Sequence, residues 1–345
     1  MRKLTYKVIT PTLLLGLLAL GWLWVDYQNF LRTPLSLPSD KYVVDVPPGG
    51  NLSRLARKLY TDGIIRSHRY LILYARLSGN ANNIQTGEYE LTKNMTPTML
   101  VQMLSQGKVI QYSFTIVEGW TFKQLIEFLK NDPHIRNTVL DKPVNTIMAA
   151  LGLANIHPEG RFLPDTYLFP NHTTDIEFLK RAYNDMKSVL ASAWEQRGIG
   201  LAVKTPYEAL TLASIVEKET ALPAERTEIA GVFNRRLLKH MRLQTDPTVI
   251  YGLGDKFDGN LRRRDLLADT PYNTYRHFGL PPTPIAMPGK DSIEAVLHPD
   301  DSDKLYFVSR GDGSHYFSST LKEHNNAVIK YQLKGRHRKF SSSPK

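Results

Sequence analysis

The longest feature in the pattern of apolar and polar positions comes first: from Val8 to Val25 the chain runs eighteen residues without a charge. As a helix this stretch spans roughly 27 Å at about 1.5 Å per residue, close to a bilayer core of about 30 Å. Arg2, Lys3 and Lys7 precede it, Asp26 follows, and Trp22, Trp24 and Tyr27 stand where an outer aromatic belt would lie. Residues 1–27 therefore read as a basic N-terminus and a single transmembrane helix, with the N-terminus on the cytoplasmic side. A cleaved signal peptide is one rival, because Ala19-Leu20-Gly21 is a weak small-x-small site, but the bulky Trp22-Leu23-Trp24 carries the apolar run past it. A soluble core helix is the other, and an apolar surface on every side beside basic residues argues against it. Residues 28–41, with Pro34 and Pro38 among Ser, Thr and Leu, have the composition of an extended linker.

A strand-turn-helix pattern then occurs twice. Val43-Val44-Asp45-Val46 alternates, Pro47-Pro48-Gly49-Gly50 turns, and Leu52, Leu55, Ala56 and Leu59 recur at helical spacing. Later, Phe114-Thr115-Ile116-Val117 alternates, Glu118-Gly119-Trp120 turns, and Phe122, Leu125, Ile126 and Leu129 repeat the helical face. Between the copies, Gly87 to Leu91 reads as a strand and Thr96 to Leu104 as a capped helix. Such modules often bind polysaccharide, yet strand-turn-helix is also the commonest way to build any α+β body. After Pro133 the pattern is mainly helical to about Leu238. Residues 243–288, rich in Pro, Gly, Thr, Tyr and Asn, are too long for a mere connection and predict a folded loop region. Lys304 to Val308 and His315 to Ser318 flank Gly311-Asp312-Gly313, a hairpin signal, and a helix from about Leu321 to Gln332 follows.

Composition narrows the chemistry. The 345 residues contain 44 Lys and Arg against 33 Asp and Glu, a formal +11. Three of those basic residues lie in 1–7 and five in 334–345, which leaves the body at +3 (36 basic, 33 acidic). The basicity belongs to the ends, so it does not point to nucleic acid, and 334–345 reads as a basic disordered tail. With no cysteine, thiol nucleophiles, disulfide scaffolds and Cys-based metal sites are excluded. No Gly-rich phosphate loop occurs. His315, His324 and Glu323 are better read as a hairpin residue and helix-surface residues than as a metal site.

One helix carries candidate acids. Thr205-Pro206-Tyr207-Glu208 is a start signal with a capping box, and the helix runs from Ala209 to about Thr220. Ala209, Leu212, Ala213, Val216 and Thr220 share one face, with Glu217 and Glu219 on its opposite borders. A carboxyl at the edge of an apolar stripe loses hydration when substrate covers it, which raises its pKa toward the range of a proton donor. The alternative is that Glu217-Lys218-Glu219 is the solvated end of a surface helix.

Ile215-Val216-Glu217-Lys218-Glu219-Thr220, Val232-Phe233-Asn234-Arg235-Arg236-Leu237 and the run from Met241 through Gln244-Thr245-Asp246-Pro247 to Gly252 together resemble the endolytic murein transglycosylases, the MltG/YceG-like family. The likeness continues through Pro271-Tyr272-Asn273-Thr274-Tyr275, Gly279 to Ile285 and, upstream, Glu159-Gly160-Arg161-Phe162-Leu163-Pro164-Asp165-Thr166-Tyr167. Thr283 stands where many members have Gly. The resemblance covers the anchor and nearly all that follows it. It implies an α+β fold in which the transmembrane helix is followed by a LysM-like module at 42–108 and a YceG-like catalytic region at 109–333, with 109–150 as the second strand-turn-helix element. It also implies that Glu217 is the catalytic acid, and that no cofactor or metal is needed.

The implied reaction cuts the bond between N-acetylmuramic acid (MurNAc) and N-acetylglucosamine (GlcNAc) in nascent peptidoglycan without consuming water. One carboxyl is sufficient: it protonates the leaving oxygen, then removes the proton of the muramyl C6 hydroxyl as that oxygen attacks its own C1. Gln244, Asp246, Tyr251, Asn273 and Tyr275 offer amide, carboxyl and phenol groups for sugar contacts, as does Glu159 for a hydroxyl, although Asp246-Pro247 and Tyr272-Asn273-Thr274 can equally cap turns. Asp165 reads as a helix cap. Two other classes stay open. A muramidase-type hydrolase would need a second carboxylate, which Glu159, Asp165, Glu219 or Asp246 can supply. A noncatalytic wall-binding scaffold would need no acid. The expected setting is the bacterial inner membrane, single-pass, with the catalytic region in the periplasm and membrane-bound peptidoglycan synthases as implied partners.

Overall fold

The computed structural model describes residues 2–333, with side chains from residue 13 onward; the basic tail expected at 334–345 lies outside the described residues. The chain is mixed α+β and divides into two compact units. One comprises Met1–Ser113, His134–Arg136 and Leu168–Thr173, and the other Phe114–Pro133, Asn137–Tyr167 and Thr174–Lys345.

The first unit begins with helix α1 (Arg2–Arg32) and continues through β1 (Lys41–Val46), α2 (Leu52–Thr61), α3 (His68–Leu77), β2 (Gly87–Thr92) and α4 (Pro97–Gln106). β1 and β2 pair antiparallel with Val44 opposite Tyr89 and Val46 opposite Gly87. This register follows from the period-two alternation: Val44, Val46, Tyr89 and Leu91 all point into the core. The expected stripe of α2, Leu52, Leu55, Ala56 and Leu59, is buried, and Asn51 caps the helix by accepting from the Arg54 amide. Helix α3 lay outside the sequence expectation because only Leu71 and Ala75 of its residues are buried, too few to mark a period.

Residues 28–41 do more than link. Tyr27, Phe30, Leu31 and Leu35 belong to the core of this unit, the amide of Leu35 donates to Met95 O at 2.7 Å, and that of Ser36 to Ile64 O at 3.0 Å. The helix persists to Arg32 because its last two turns have an apolar face to bury, each large side chain worth about 1.5–3 kcal/mol. Among the described residues no helix is long and apolar enough to cross a membrane; the first five residues of the Val8–Val25 stretch precede the described side chains.

The chain passes between the units within β3 (Gln111–Thr115), at β4 (Ile135–Arg136), within β5 (Thr166–Pro170) and within β6 (Thr173–Thr174). The second unit holds α5 (Phe122–Lys130), α6 (Val144–Ala150), α7 (Asp175–Glu195), α8 (Pro206–Glu219), α9 (Arg226–Leu238), α10 (Asp246–Leu253), α11 (Arg263–Leu267) and α12 (Lys290–Leu297), then the antiparallel hairpin β7 (Tyr306–Ser309) and β8 (His315–Ser318), and α13 (Leu321–Tyr331). The hairpin and final helix match the sequence expectation, and residues 243–288 fold around the two short helices α10 and α11.

Helix α8 is the centre of this unit. Thr205 caps it as expected, but Glu208 reaches back to the Lys204 amide at 2.6 Å, one residue beyond a capping box. Every residue from Ala209 to Val216 is buried, with α7, α9, α10 and α12 packed around it. The single buried face expected from periodicity is therefore incomplete. The polar positions on the other faces need no water: Thr211 returns its hydroxyl to Tyr207 O, Ser214 donates to Thr211 O, and Ser214 Oγ accepts the Ile285 amide.

Candidate active site

The C-terminal end of α8 delivers two carboxyls to different surroundings. Glu219 takes a hydrogen bond from the Thr245 hydroxyl and lines a cavity of about 390 Å³ with Arg236, Gln244, Asp246, Tyr275 and His315, backed by Leu243, Phe307 and Val308. Burial pushes its pKa up to about 7, aided by the charge of Asp246 and opposed by the Thr245 hydrogen bond, His315 and Arg236. Arg236 is fixed beside it by the carbonyls of Leu305 at 2.7 Å and Leu243 at 2.8 Å.

Two loop segments build one wall of this cavity. The Gln244 amide donates to Thr274 O, the Thr245 amide to Thr274 Oγ1, and Thr248 and Thr274 share a hydroxyl contact at 2.9 Å. Gln244 has φ +53°, a left-handed backbone that costs a non-glycine residue of order 1 kcal/mol and is held by these bonds. Tyr275 donates its hydroxyl to Asp246 Oδ1 at 2.6 Å. Asn273 stands behind the wall: it is fully buried, gives its side-chain amide to Leu266 O and Ala268 O, and accepts the Tyr275 amide.

Glu159 and Tyr251 form a separate pair. Glu159 is 4% exposed, accepts the Phe122 amide at the start of α5 and the Tyr251 hydroxyl at 3.0 Å, and burial raises its pKa to about 7. Both its oxygens serve the chain's own donors, which makes it a brace between α5 and α10. Asp165 precedes strand β5, where it takes the Thr166 amide, and it pairs with Lys290 rather than capping a helix.

Glu217 lies in an ionic cluster outside the cavity lining. Its side chain is 6% exposed, Oε2 accepts the Gly289 amide at 2.9 Å, and Oε1 is 3.8 Å from the Arg226 guanidinium. Arg226 also pairs with Asp291 at 2.9 Å and Glu118 at 3.5 Å. Burial raises the pKa of Glu118, and the charge of Glu217 adds to it. A Cβ at Gly289 would meet the Glu118 carboxyl at 1.8 Å, so a larger residue there would displace that side chain from the cluster.

The structure thus gathers Gln244, Asp246 and Tyr275 around Glu219, and places Glu217, Glu159, Tyr251 and Asn273 elsewhere. Sequence reasoning missed Glu118, Glu225 and Arg226, and took His315 for a plain hairpin residue. Glu118 was hidden in a turn signal. Glu225 and His315 are 90 residues apart and meet only in the fold. Glu323 caps α13, and among the described residues no group of three or more His, Asp or Glu is arranged to hold a metal ion.

Fold and site together define an α+β protein whose central buried helix presents a carboxyl of raised pKa to a polar cavity. The YceG-like family matches residues 44–330, and the chain belongs to that family. A Bacillus subtilis protein named endolytic murein transglycosylase is 34% identical over 88% of this chain and 89% of its own length. A protein of the same name from Streptococcus pneumoniae is 29% identical over 94% of this chain, which spans 65% of that relative's length. A crystal structure of a yceG-like protein from Listeria monocytogenes superposes with a TM-score of 0.52 at 31% identity, covering 83% of this chain and 99% of that one.

Proposed function

We propose that this chain is an endolytic murein transglycosylase, a lyase that cuts the MurNAc–GlcNAc bond within nascent glycan strands and leaves 1,6-anhydro-MurNAc ends during wall synthesis and remodelling. The observation that carries this reading is the Glu219 carboxyl, raised to about 7 in a cavity that also presents Gln244, Asp246 and Tyr275. A carboxyl half-protonated near neutrality can give its proton to the oxygen leaving with GlcNAc. The carboxylate left behind then faces the oxocarbenium-like charge. The muramyl C6 hydroxyl attacks C1 of its own sugar and gives up its proton to a base of the cavity, helped by the high effective concentration of a group already attached. Gln244, Asp246 and Tyr275 supply the sugar contacts from the cavity wall.

A second reading keeps Glu217 as the acid, as the family motif implies. It is favoured by the neighbouring Glu118, whose carboxyl is raised and whose side chain is 46% exposed. Against it, both Glu217 oxygens are faced by the Gly289 amide and Arg226.

Leu13 to Val25 expose nearly all their apolar side chains, Trp22 by 68% and Trp24 by 62%, while Tyr27, Phe30, Leu31 and Leu35 beyond them are buried. This supports a single-pass anchor in the bacterial inner membrane, with Arg2, Lys3 and Lys7 cytoplasmic and the chain after Tyr27 periplasmic. The β1-α2-α3-β2 order supports the LysM-like, glycan-binding reading of the first unit. Membrane-bound peptidoglycan synthases are the proposed partners.

Mass analysis of glycan strands incubated with the full chain in detergent tests the activity. Polymeric fragments with anhydro muramyl ends, lighter by one water than reducing ends, are expected. Predominantly reducing ends would make it a muramidase-type hydrolase, and no cleavage by folded protein would make it a scaffold.

A further inference from the structure

Glu219 is not the only titratable group in its cavity with a built environment. His315 lies on the same lining. Its backbone amide donates to Glu225 Oε1 at 2.8 Å and its ring Nδ1 lies 2.7 Å from Glu225 Oε2. Glu225 is 9% exposed, and its Oε2 also takes the hydroxyl of Thr220, the residue after Glu219, at 3.4 Å. A buried carboxylate is costly unless its oxygens are satisfied, and this one is satisfied mainly by His315. With Nδ1 carrying the proton toward Glu225, the tautomer is set and Nε2 is the nitrogen left to accept. Phe307 and Phe317 pack their rings around the imidazole and limit how it can turn.

We propose that His315, oriented by Glu225, is a second catalytic residue of this cavity, whose Nε2 accepts the proton of the attacking C6 hydroxyl. The inference rests on the transglycosylase reading and divides its two proton transfers between two groups. Glu219 gives its proton to the glycosidic oxygen as the C1–O bond breaks and the electron pair leaves with GlcNAc. The C6 oxygen then forms its bond to C1, and the C6 proton passes to Nε2, giving an imidazolium that faces the Glu225 carboxylate. Loss of that proton to solvent and reprotonation of Glu219 restore the resting state, with no net gain or loss of protons. The charged and titratable groups that face His315 are Glu225 from the turn Pro223–Glu225, Glu219 from α8, Arg236 from α9, Asp246 from α10, Tyr275 from the loop after α11, and His324 from α13. Burial, and then the charge of Arg236, lowers the pKa of His324. A packing role for His315 would need the backbone bond to Glu225 but not the ring bond.

The test measures kcat, KM and their pH dependence with the full chain. His315→Gln is expected to lower kcat roughly 100-fold with KM little changed, to remove the fall in kcat on the acid side, and to keep the alkaline fall that belongs to Glu219. Added imidazole should restore part of the activity of His315→Ala. Wild-type kcat in His315→Gln overturns the proposal, as does a loss with the pH profile unchanged and no imidazole rescue. Glu225→Gln, which still accepts the His315 amide, is the second variant should the first fail to fold: a kcat at least tenfold lower supports the assignment, and wild-type kcat overturns it. Glu219→Gln is run alongside. If that variant still cleaves, the underlying reading fails; if it is inactive while the His315 and Glu225 variants are unaffected, only this inference fails.

Discussion

Tyr275 donates its hydroxyl to Asp246 at 2.6 Å, joining residues 29 apart in the chain. Burial, and then the charge of Asp246, raises the Tyr275 pKa, so the phenol remains a donor at every working pH. Together with the Thr245–Thr274 bonds this contact makes one wall from two loops. Tyr275→Phe removes the bond and a hydroxyl from the sugar-facing surface. We expect kcat/KM to fall roughly tenfold with a stability loss of about 1 kcal/mol; steady-state kinetics and urea unfolding measure the two separately.

Glu219→Gln should abolish strand cleavage while the protein stays folded, because the amide keeps the shape and cannot donate a proton. Glu217→Gln should retain substantial activity and lose stability through its Arg226 and Gly289 contacts. Fragment analysis by mass spectrometry reads both. The opposite ranking would move the acid to Glu217.

Cleavage should decline as pH rises through about 7, because Glu219 must be protonated and burial places its pKa there. An ordinary glutamate would already have lost its proton near pH 5. The stability sign is opposite to that of a salt-bridged acid: a raised carboxyl weakens the folded state once pH exceeds the unfolded value. Glu219→Gln should therefore gain stability over the parent between pH 5 and 8, a difference that thermal melts at several pH values will show.

Asp175 gives a prediction of the ordinary sign. Burial alone would raise its pKa, but the Thr138 hydroxyl and the amides of Val139, Thr138 and Ile176 outweigh that and hold it low. Its contribution is present at neutral pH and lost as pH falls below about 4. Asp175→Asn should cost roughly 2–3 kcal/mol at pH 7, and the gap to the parent in urea unfolding should narrow at pH 3.

Local signals in the sequence were enough to place β1, α2, β2, α4, α5, the β7–β8 hairpin and α13, because each has a period and a cap or turn that act within ten residues. The motif residues Gln244, Asp246 and Tyr275 could be named for the same site without knowing which glutamate they surround. That choice depends on the end of α8, where Glu217 turns to Gly289 and Arg226 and Glu219 to Thr245. Helical spacing puts the two carboxyls on opposite borders but says nothing of what α9, α10 and α12 bring to each side. The Glu225–His315 pair was invisible for a related reason, since neither residue lies in a pattern that its own segment needs.

Helix α1 enters the core of the first unit without a break, and this changes how the protein would sit on a membrane. Counting about 1.5 Å per residue, Phe30 lies only roughly 8 Å along the axis from Val25, the end of the apolar run. With Leu35 and Ser36 tied to Met95 and Ile64, little slack is left for swivelling. With α1 as the proposed anchor, the first unit is mounted on a post rather than tethered by a leash. Its reach is then a fixed height above the bilayer, and the strands it meets are those still close to where they are made.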